Sequence, residues 1–328
     1  MSGNTLTMAR AARGAGQPAG LLPIVAVLAV LAALAFFLSG YQLFQLTTAI
    51  AYGIAILGLV ILTGYTGQIS LGHGAFYAIG AYVTAILMSV YDVPYWATLP
   101  VSAVVCAIFG LLLGFPALRL GGLYLALTTF WLAVALPQLL KHPLLQDWTG
   151  GVQGIVISKP DPPAWLKLTP DQWLYLFSLA VAAVLFVLAR NLLRGRIGRA
   201  FIAVRDHPLA AEAMGIDIAM IKTGAFAVSA LYTGIAGSLG AIAVQFVAPD
   251  SFGVFLSITL FVGLVVGGVG AIGGALFGAL FIVFVPNVAA DISKAAPDAV
   301  YGAILIAVMF VMPGGVAGAL GRLLARRS

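Results

Sequence analysis

The chain has 328 residues, is 62% hydrophobic, carries 8% charged side chains and has a formal net charge of +6. Soluble domains hold roughly 25% charged residues, so with a mean hydropathy of +1.11 a water-soluble fold is excluded. The apolar runs recur at about 20 residues and are continuous rather than alternating, which selects an all-α polytopic membrane protein over a β-barrel.

Residues 1–20 read as a polar, mildly basic tail through Arg10 and Arg13. The run at 21–39 is too long for a signal-peptide core and has no small-x-small cleavage site, so it reads as a retained first span. Further spans are expected at 43–63, 75–90, 95–115, 123–140, 173–189, 223–247, 255–268, 272–286 and 299–312. Ten crossings return both termini to one side. That side receives all eleven arginines and Lys222 against three acids, and the other receives four lysines and seven aspartates. The asymmetry places both termini in the cytoplasm. It also explains the positive charge without nucleic acid. The layout is one permease-like transmembrane domain over 21–313, with a basic tail at 314–328 that includes Arg322, Arg326 and Arg327.

Two stretches are poor simple spans. Residues 64–74 (GYTGQISLGHG) hold four glycines together with Thr66, Gln68, Ser70 and His73. Irregular backbone at membrane depth survives where protein or a water-filled cavity satisfies it, so these four polar side chains are expected to line a translocation path and to satisfy a broken helix. Local helix packing is the alternative. Residues 263–278 hold seven glycines, with GxxxG spacings at Gly263/Gly267 and Gly274/Gly278. Such spacings let helix backbones approach closely, so packing is expected there. The single cysteine, Cys106, lies in an apolar run and reads as a packing residue.

The outer segment 141–172 carries five prolines with Trp148 and Trp165, and Trp173 follows it, which reads as an ordered loop with interfacial tryptophans. The polar island at 190–222 holds nine charged residues. A charge within lipid costs at least about 2.5–3.5 kcal/mol, so this stretch is an aqueous loop. Within it, Pro208 is suited to a first helical turn behind Asp206 or His207 as N-cap, the run to Met214 favours helix, and Gly215 stands where a C′ glycine would end it. A short docking helix for a cytoplasmic partner is the sharper reading, and a solvated connector the plainer one.

No phosphate-binding G-x-x-x-x-G-K-[ST] loop and no H-E-x-x-H motif occurs, and the three histidines are scattered. The expected spans hold no acid or base to serve a proton relay or acid–base catalysis. Neither a cofactor nor a metal is expected on this chain, so energy for uphill transport would come from elsewhere. An ATP-independent channel or facilitator is the rival reading, and the shaped 190–222 loop tells against it.

Several strings, in order, resemble the inner-membrane permeases of branched-chain amino acid ABC transporters: GQISLGHGAFYAIGAY at 67–82, LGGLYLALTT at 120–129, WTGGVQGI at 148–155, GRAFIAVRDHPLAAEAMGID at 198–217 and VVGGVGAIGGALFGA at 265–279. The LGGLYLALTT and TGG elements resemble the LivM-type subunit rather than its LivH-type partner. The resemblance implies a homologous second permease, two ATP-binding subunits that use ATP and Mg, and a periplasmic substrate-binding protein. By position, it assigns coupling to the ATP-binding subunit to Arg205, Asp206, His207, Pro208, Ala211, Glu212, Ala213 and Gly215. The order Ala211-Glu212-Ala213-Met214-Gly215 departs from the Glu-Ala-Ala pattern of ABC permeases. Urea, short amides or another small neutral solute are alternative cargoes within the same architecture.

Overall fold

A computed structural model describes residues 21–117, 122–163 and 165–325. The expectations placed on Arg10, Arg13, Arg119, Arg326 and Arg327 lie outside the described residues. The expected first span is helical over Leu21–Leu34 (α1) and then gives way to turns. This stretch forms a unit of its own, separate from Gly40–Ser328.

In the larger unit, α2 (Gly40–Leu59) continues into a π-helical turn, Val60–Tyr65. After an irregular stretch come α3 (His73–Val90), α4 (Tyr95–Ala117), α5 (Leu123–Leu140) and α6 (Pro170–Arg194). The charged loop folds as α7 (Arg196–Asp206) and α8 (Pro208–Ala213). The chain then returns through α9 (Ile218–Val244), α10 (Val254–Gly267), α11 (Gly274–Ile292), α12 (Pro297–Val311) and α13 (Gly315–Ala325). Nine helical stretches among the described residues are long and apolar enough to cross a membrane. The protein is thus a polytopic helical membrane protein. The charges sit near the span ends, as with Asp171 and Arg194 of α6, because only there do they reach water.

Helix α9 is the axis of the bundle, packed against α2, α3 and α4 and buried almost throughout from Ala225 to Ala243. Its small residues make this possible. A Cβ on Gly80 of α3 would stand 2.1 Å from the Gly234 carbonyl oxygen, and one on Gly237 2.0 Å from that of Tyr77. With lipid tails as apolar as the side chains, association in a bilayer depends on such close packing and on buried hydrogen bonds. The latter are here too: the Thr84 hydroxyl donates to Ser238 Oγ at 2.8 Å and lies 3.2 Å from Ser102 Oγ, joining α3, α9 and α4. Cys106 is buried at the same crossing, where a Cβ on Gly234 would meet its Sγ at 2.5 Å.

The Trp-rich segment is ordered by contacts with the helix ends. Its strand β1 (Ile155–Val156) pairs antiparallel with β2 (Phe246–Val247), Ile155 opposite Val247. Lys141 reaches Asp250 at 2.5 Å, and Lys159 pairs with Asp171. Helix α6 begins inside the stretch expected to be loop, because Thr169 and Gln172 form a reciprocal capping box ahead of Pro170. The 314–328 stretch, read as a tail, is helical over Gly315–Ala325 and packs against α10 and α11.

Candidate functional site

Two broken helices and the charged loop converge at one end of the bundle. The first break follows from glycine and hydroxyl chemistry. The π-turn ends at Thr66, whose hydroxyl bonds back to the Leu62 carbonyl at 2.6 Å. Gly67 takes φ +70°, a left-handed conformation that costs an L-residue about 1–2 kcal/mol, and the chain leaves the helix. It has no regular secondary structure over residues 67–72, with a bend at Leu71, before α3 starts at His73.

All four polar side chains expected at this break are buried. They are turned into the protein rather than outward. Thr63 Oγ1 donates to the Gln68 carbonyl at 3.0 Å, and Gln68 Nε2 donates to Thr66 Oγ1 at 2.9 Å and to the Lys222 carbonyl at 3.2 Å. His73 is held from both sides, with Nδ1 3.2 Å from Ser70 Oγ and Nε2 2.7 Å from Ser229 Oγ. Ser229 spends its one hydroxyl hydrogen on the Gly58 carbonyl, at 2.6 Å, so it accepts from His73 Nε2–H. His73 Nδ1 therefore accepts the Ser70 hydroxyl, and Ser70 in turn accepts from Gly72 N–H at 3.3 Å. The result is a directed chain from the break through His73 and α9 to α2. Two further bonds carry the break across the bundle: Leu71 N–H to Thr129 Oγ1 of α5 at 2.9 Å, and Gly74 N–H to Ser257 Oγ of α10 at 2.8 Å.

The second break, residues 268–273, separates α10 from α11, with Gly268 at φ +112° and Gly270 at φ +98°. The four glycines expected to pack meet as two pairs. A Cβ on Gly278 would lie 2.0 Å from the Gly263 carbonyl oxygen, and one on Gly267 2.1 Å from that of Gly274. The two breaks also touch, since a Cβ on Gly64 would stand 2.7 Å from Gly270 N. A Cβ on Gly315, at the head of α13, would meet Gly268 Cα at 2.4 Å.

The charged loop presents α8. His207 occupies the N-cap position but makes no side-chain cap, and Asp206 pairs instead with Arg205 Nε at 2.8 Å. The carboxyl end is a Schellman motif: Gly215, at φ +82°, donates to Glu212 O at 2.9 Å, and Ile216 donates to Ala211 O at 3.0 Å. Ala211 is buried, while His207, Pro208, Glu212, Ala213 and Gly215 are exposed. Glu212 does not lie with Arg205; with Asp217 and Lys222 it lines a 310 Å³ pocket between α8 and α9. Leu209 and Met214 are 81% and 83% exposed. Sequence reading passed over both, although large apolar side chains in a charged loop are themselves a signal of a covered surface.

Arg205 joins the loop to the breaks. Its Nη1 donates to the Gly64 carbonyl at 2.6 Å, and its stem covers Gly67, whose added Cβ would meet Arg205 Cγ at 3.0 Å. A helix ends with carbonyls that lack intrahelical partners and with partial negative charge. A guanidinium there is a charge-assisted cap.

A multi-pass helical bundle with two glycine breaks meeting a shaped polar loop belongs to the class of membrane permeases. The chain is a member of the branched-chain amino acid transport system / permease component family, whose model matches residues 41–312. It is 35% identical over 271 residues to the high-affinity branched-chain amino acid transport system permease protein LivM of Escherichia coli (strain K12), and 34% identical over the same length to the LivM protein of Salmonella typhimurium (strain LT2). Each match covers 76% of this chain and 63% of the relative, so the chain spans less than two thirds of those proteins' length. No solved structure matches the chain.

Proposed function

We propose that this chain is the LivM-type permease subunit of an ATP-driven importer in the bacterial inner membrane, with both termini cytoplasmic. It would form with a homologous LivH-type permease the path for branched-chain amino acids. A periplasmic binding protein delivers the solute, and ATP with Mg is hydrolysed on two separate ATP-binding subunits.

One observation carries the coupling role. The α8 helix is closed by a Schellman glycine and displays Leu209 and Met214 almost fully to solvent, outside any candidate span. Two such side chains favour burial by about 1.5–3 kcal/mol each, and a groove on an ATP-binding subunit would supply it. Movement of α8 passes through α7 to Arg205, and from Arg205 to the end of α2 at Gly64. In this scheme the polar residues Thr66, Gln68, Ser70 and His73 hold the first break as a wall of the path, and the glycine pairs of α10 and α11 let the second break follow.

The test is reconstitution of the chain with its partner subunits in proteoliposomes and measurement of leucine uptake with and without ATP. ATP-dependent uptake that needs all partners is expected. Flux through this chain alone, without ATP, would replace the importer by a facilitator.

A further inference from the structure

The connection between α9 and α10 enters the bundle instead of lying over it. Helix α9 extends about 40 Å from the charged loop at ~1.5 Å per residue, so residues 245–253 stand at the opposite end. Connections as a rule run over a protein's surface, yet Val247, Ala248, Pro249 and Phe252 are buried. The 3-10 turn Pro249–Phe252 packs against α3, α5 and α10. Phe252 is 6% exposed, and its ring centroid lies 6.1 Å from those of both Tyr77 and Tyr82. Tyr82 is at the midpoint of α3, itself a candidate span. Irregular backbone reaching such depth survives where protein or a water-filled cavity satisfies it.

The seat is balanced rather than locked. Burial of the Phe252 ring favours it. The Tyr82 hydroxyl opposes it, being buried with no hydrogen-bond partner among the described residues. A buried donor left unmet destabilises the state that holds it, and water reaches this one when Phe252 withdraws. From outside, the turn is held by Lys141 on Asp250. Asp250 is exposed, and an ion pair in contact with solvent binds weakly. The base of the turn rests on the first break. Gly74, in the first turn of α3, donates to Ser257 Oγ in the first turn of α10 at 2.8 Å. A Cβ on Gly74 would lie 3.5 Å from the carbonyl oxygen of Gly253, the residue joining the turn to α10.

We propose that Pro249–Phe252 is a re-entrant plug, in which Phe252, seated against Tyr77 and Tyr82, closes the path at the end opposite the charged loop. Lys141 with Asp250 is its latch, and the Gly74–Ser257 bond moves it with the first break. Displacement that begins at Arg205 and Gly64 then reaches both ends of the path. The plug rests on the importer reading above, which supplies the cycle that moves it.

The experiment uses the full transporter in proteoliposomes, with Cys106→Ala as background and Tyr82→Cys as reporter behind the native Phe252. A charged methanethiosulfonate reagent is applied from the side that bears Lys141, and Ser251→Cys, at an exposed position, gives the unhindered rate. Labelling of Tyr82→Cys should differ by at least about tenfold between the ATP-free and the vanadate-trapped transporter, as a shift in the open fraction requires. Adding Phe252→Ala should abolish that contrast and bring both states near the Ser251→Cys rate. Asp250→Asn, which leaves the ring in place, should speed labelling of the slower state several-fold, and Ser257→Ala should shrink the contrast. ATP-dependent leucine uptake by the background tests the importer reading separately. Flux that needs no ATP overturns that reading and the cycle with it. ATP-dependent uptake with equal labelling of Tyr82→Cys in the two states overturns the plug alone and leaves residues 245–253 as a fixed cap. A contrast that survives Phe252→Ala overturns the plug as well.

Discussion

Replacing Gly215 tests whether the shape of the charged loop matters. Gly215 holds φ +82° and closes α8 through two bonds, its own N–H to Glu212 and that of Ile216 to Ala211. A Cβ built there meets nothing within 4 Å, so a substitution acts through backbone conformation without a steric clash. Moving an L-residue into this conformation costs about 1–2 kcal/mol, and a β-branched residue lies at the upper end. Since 1.4 kcal/mol is a factor of ten, Gly215→Val should lower the population of correctly closed loop by roughly 5- to 30-fold. Asparagine tolerates left-handed geometry better, so the series should run Gly, Asn, Ala, Val in descending order. The assay is ATP-driven leucine uptake alongside affinity for the ATP-binding subunits, with insertion checked by surface labelling. Uptake and affinity that stay flat across the series would show that α8 is a solvated connector.

Arg205→Met keeps the stem over Gly67 but removes the donor to Gly64; uptake should fall by about tenfold or more, the loss of one charge-assisted bond being worth roughly 1.5–3 kcal/mol, while Arg205→Lys should recover part of it. His73→Leu leaves the Ser70 and Ser229 hydroxyls short of a buried partner, and thermal stability in detergent should drop by about 1–3 kcal/mol for each group stranded. His73→Gln, which can still donate to Ser229, should lose less. Gly80→Val drives a side chain into the Gly234 carbonyl at the axis of the bundle; overpacking typically costs about 1–3 kcal/mol, and a backbone clash at 2.1 Å puts this at the top of that range, read as lost folded protein on size-exclusion.

The spans were legible because lipid leaves few options: an apolar run of sufficient length must be a helix. The position of Gly215 was legible for a local reason, since a helix-forming run ahead of glycine encodes its own stop. The direction in which Gln68, Ser70 and His73 face was not. Their polarity signals that a broken helix needs partners, but Lys222, which accepts from Gln68, and Ser229, which accepts from His73, come from segments more than a hundred residues away. The resemblance assigned Arg205 to coupling, but its bond to Gly64 was hidden for the same reason, because the acceptor is a backbone carbonyl 141 positions distant. The central place of α9 had a weak trace in Gly234, Gly237 and Gly240, which mark close backbone approach without naming the neighbour. The helix at Gly315–Ala325 was hidden by its glycines, and it forms because the second break offers a surface of bare backbone on which Gly315 can seat.

The two breaks behave as one mechanical element because nothing soft lies between them. Gly64 meets Gly270 through backbone alone, Gly267 meets Gly274 in the same way, and Gly315 closes on Gly268. A contact between side chains can be absorbed by a change of rotamer, at a cost of about 0.5–1.5 kcal/mol for a modest distortion. A contact between backbones has no such give, so displacement of the α2 end displaces the loop between α10 and α11. The bundle axis is held differently, by the Thr84, Ser102 and Ser238 hydroxyls and by the seats of α3 and α4 on α9. Packed interiors deform little, so a pull on Arg205 reaches the breaks before it reaches the axis. The left-handed glycines at 67, 268 and 270 flank these rigid backbone contacts, and in the importer scheme proposed above they are the positions where the chain would bend.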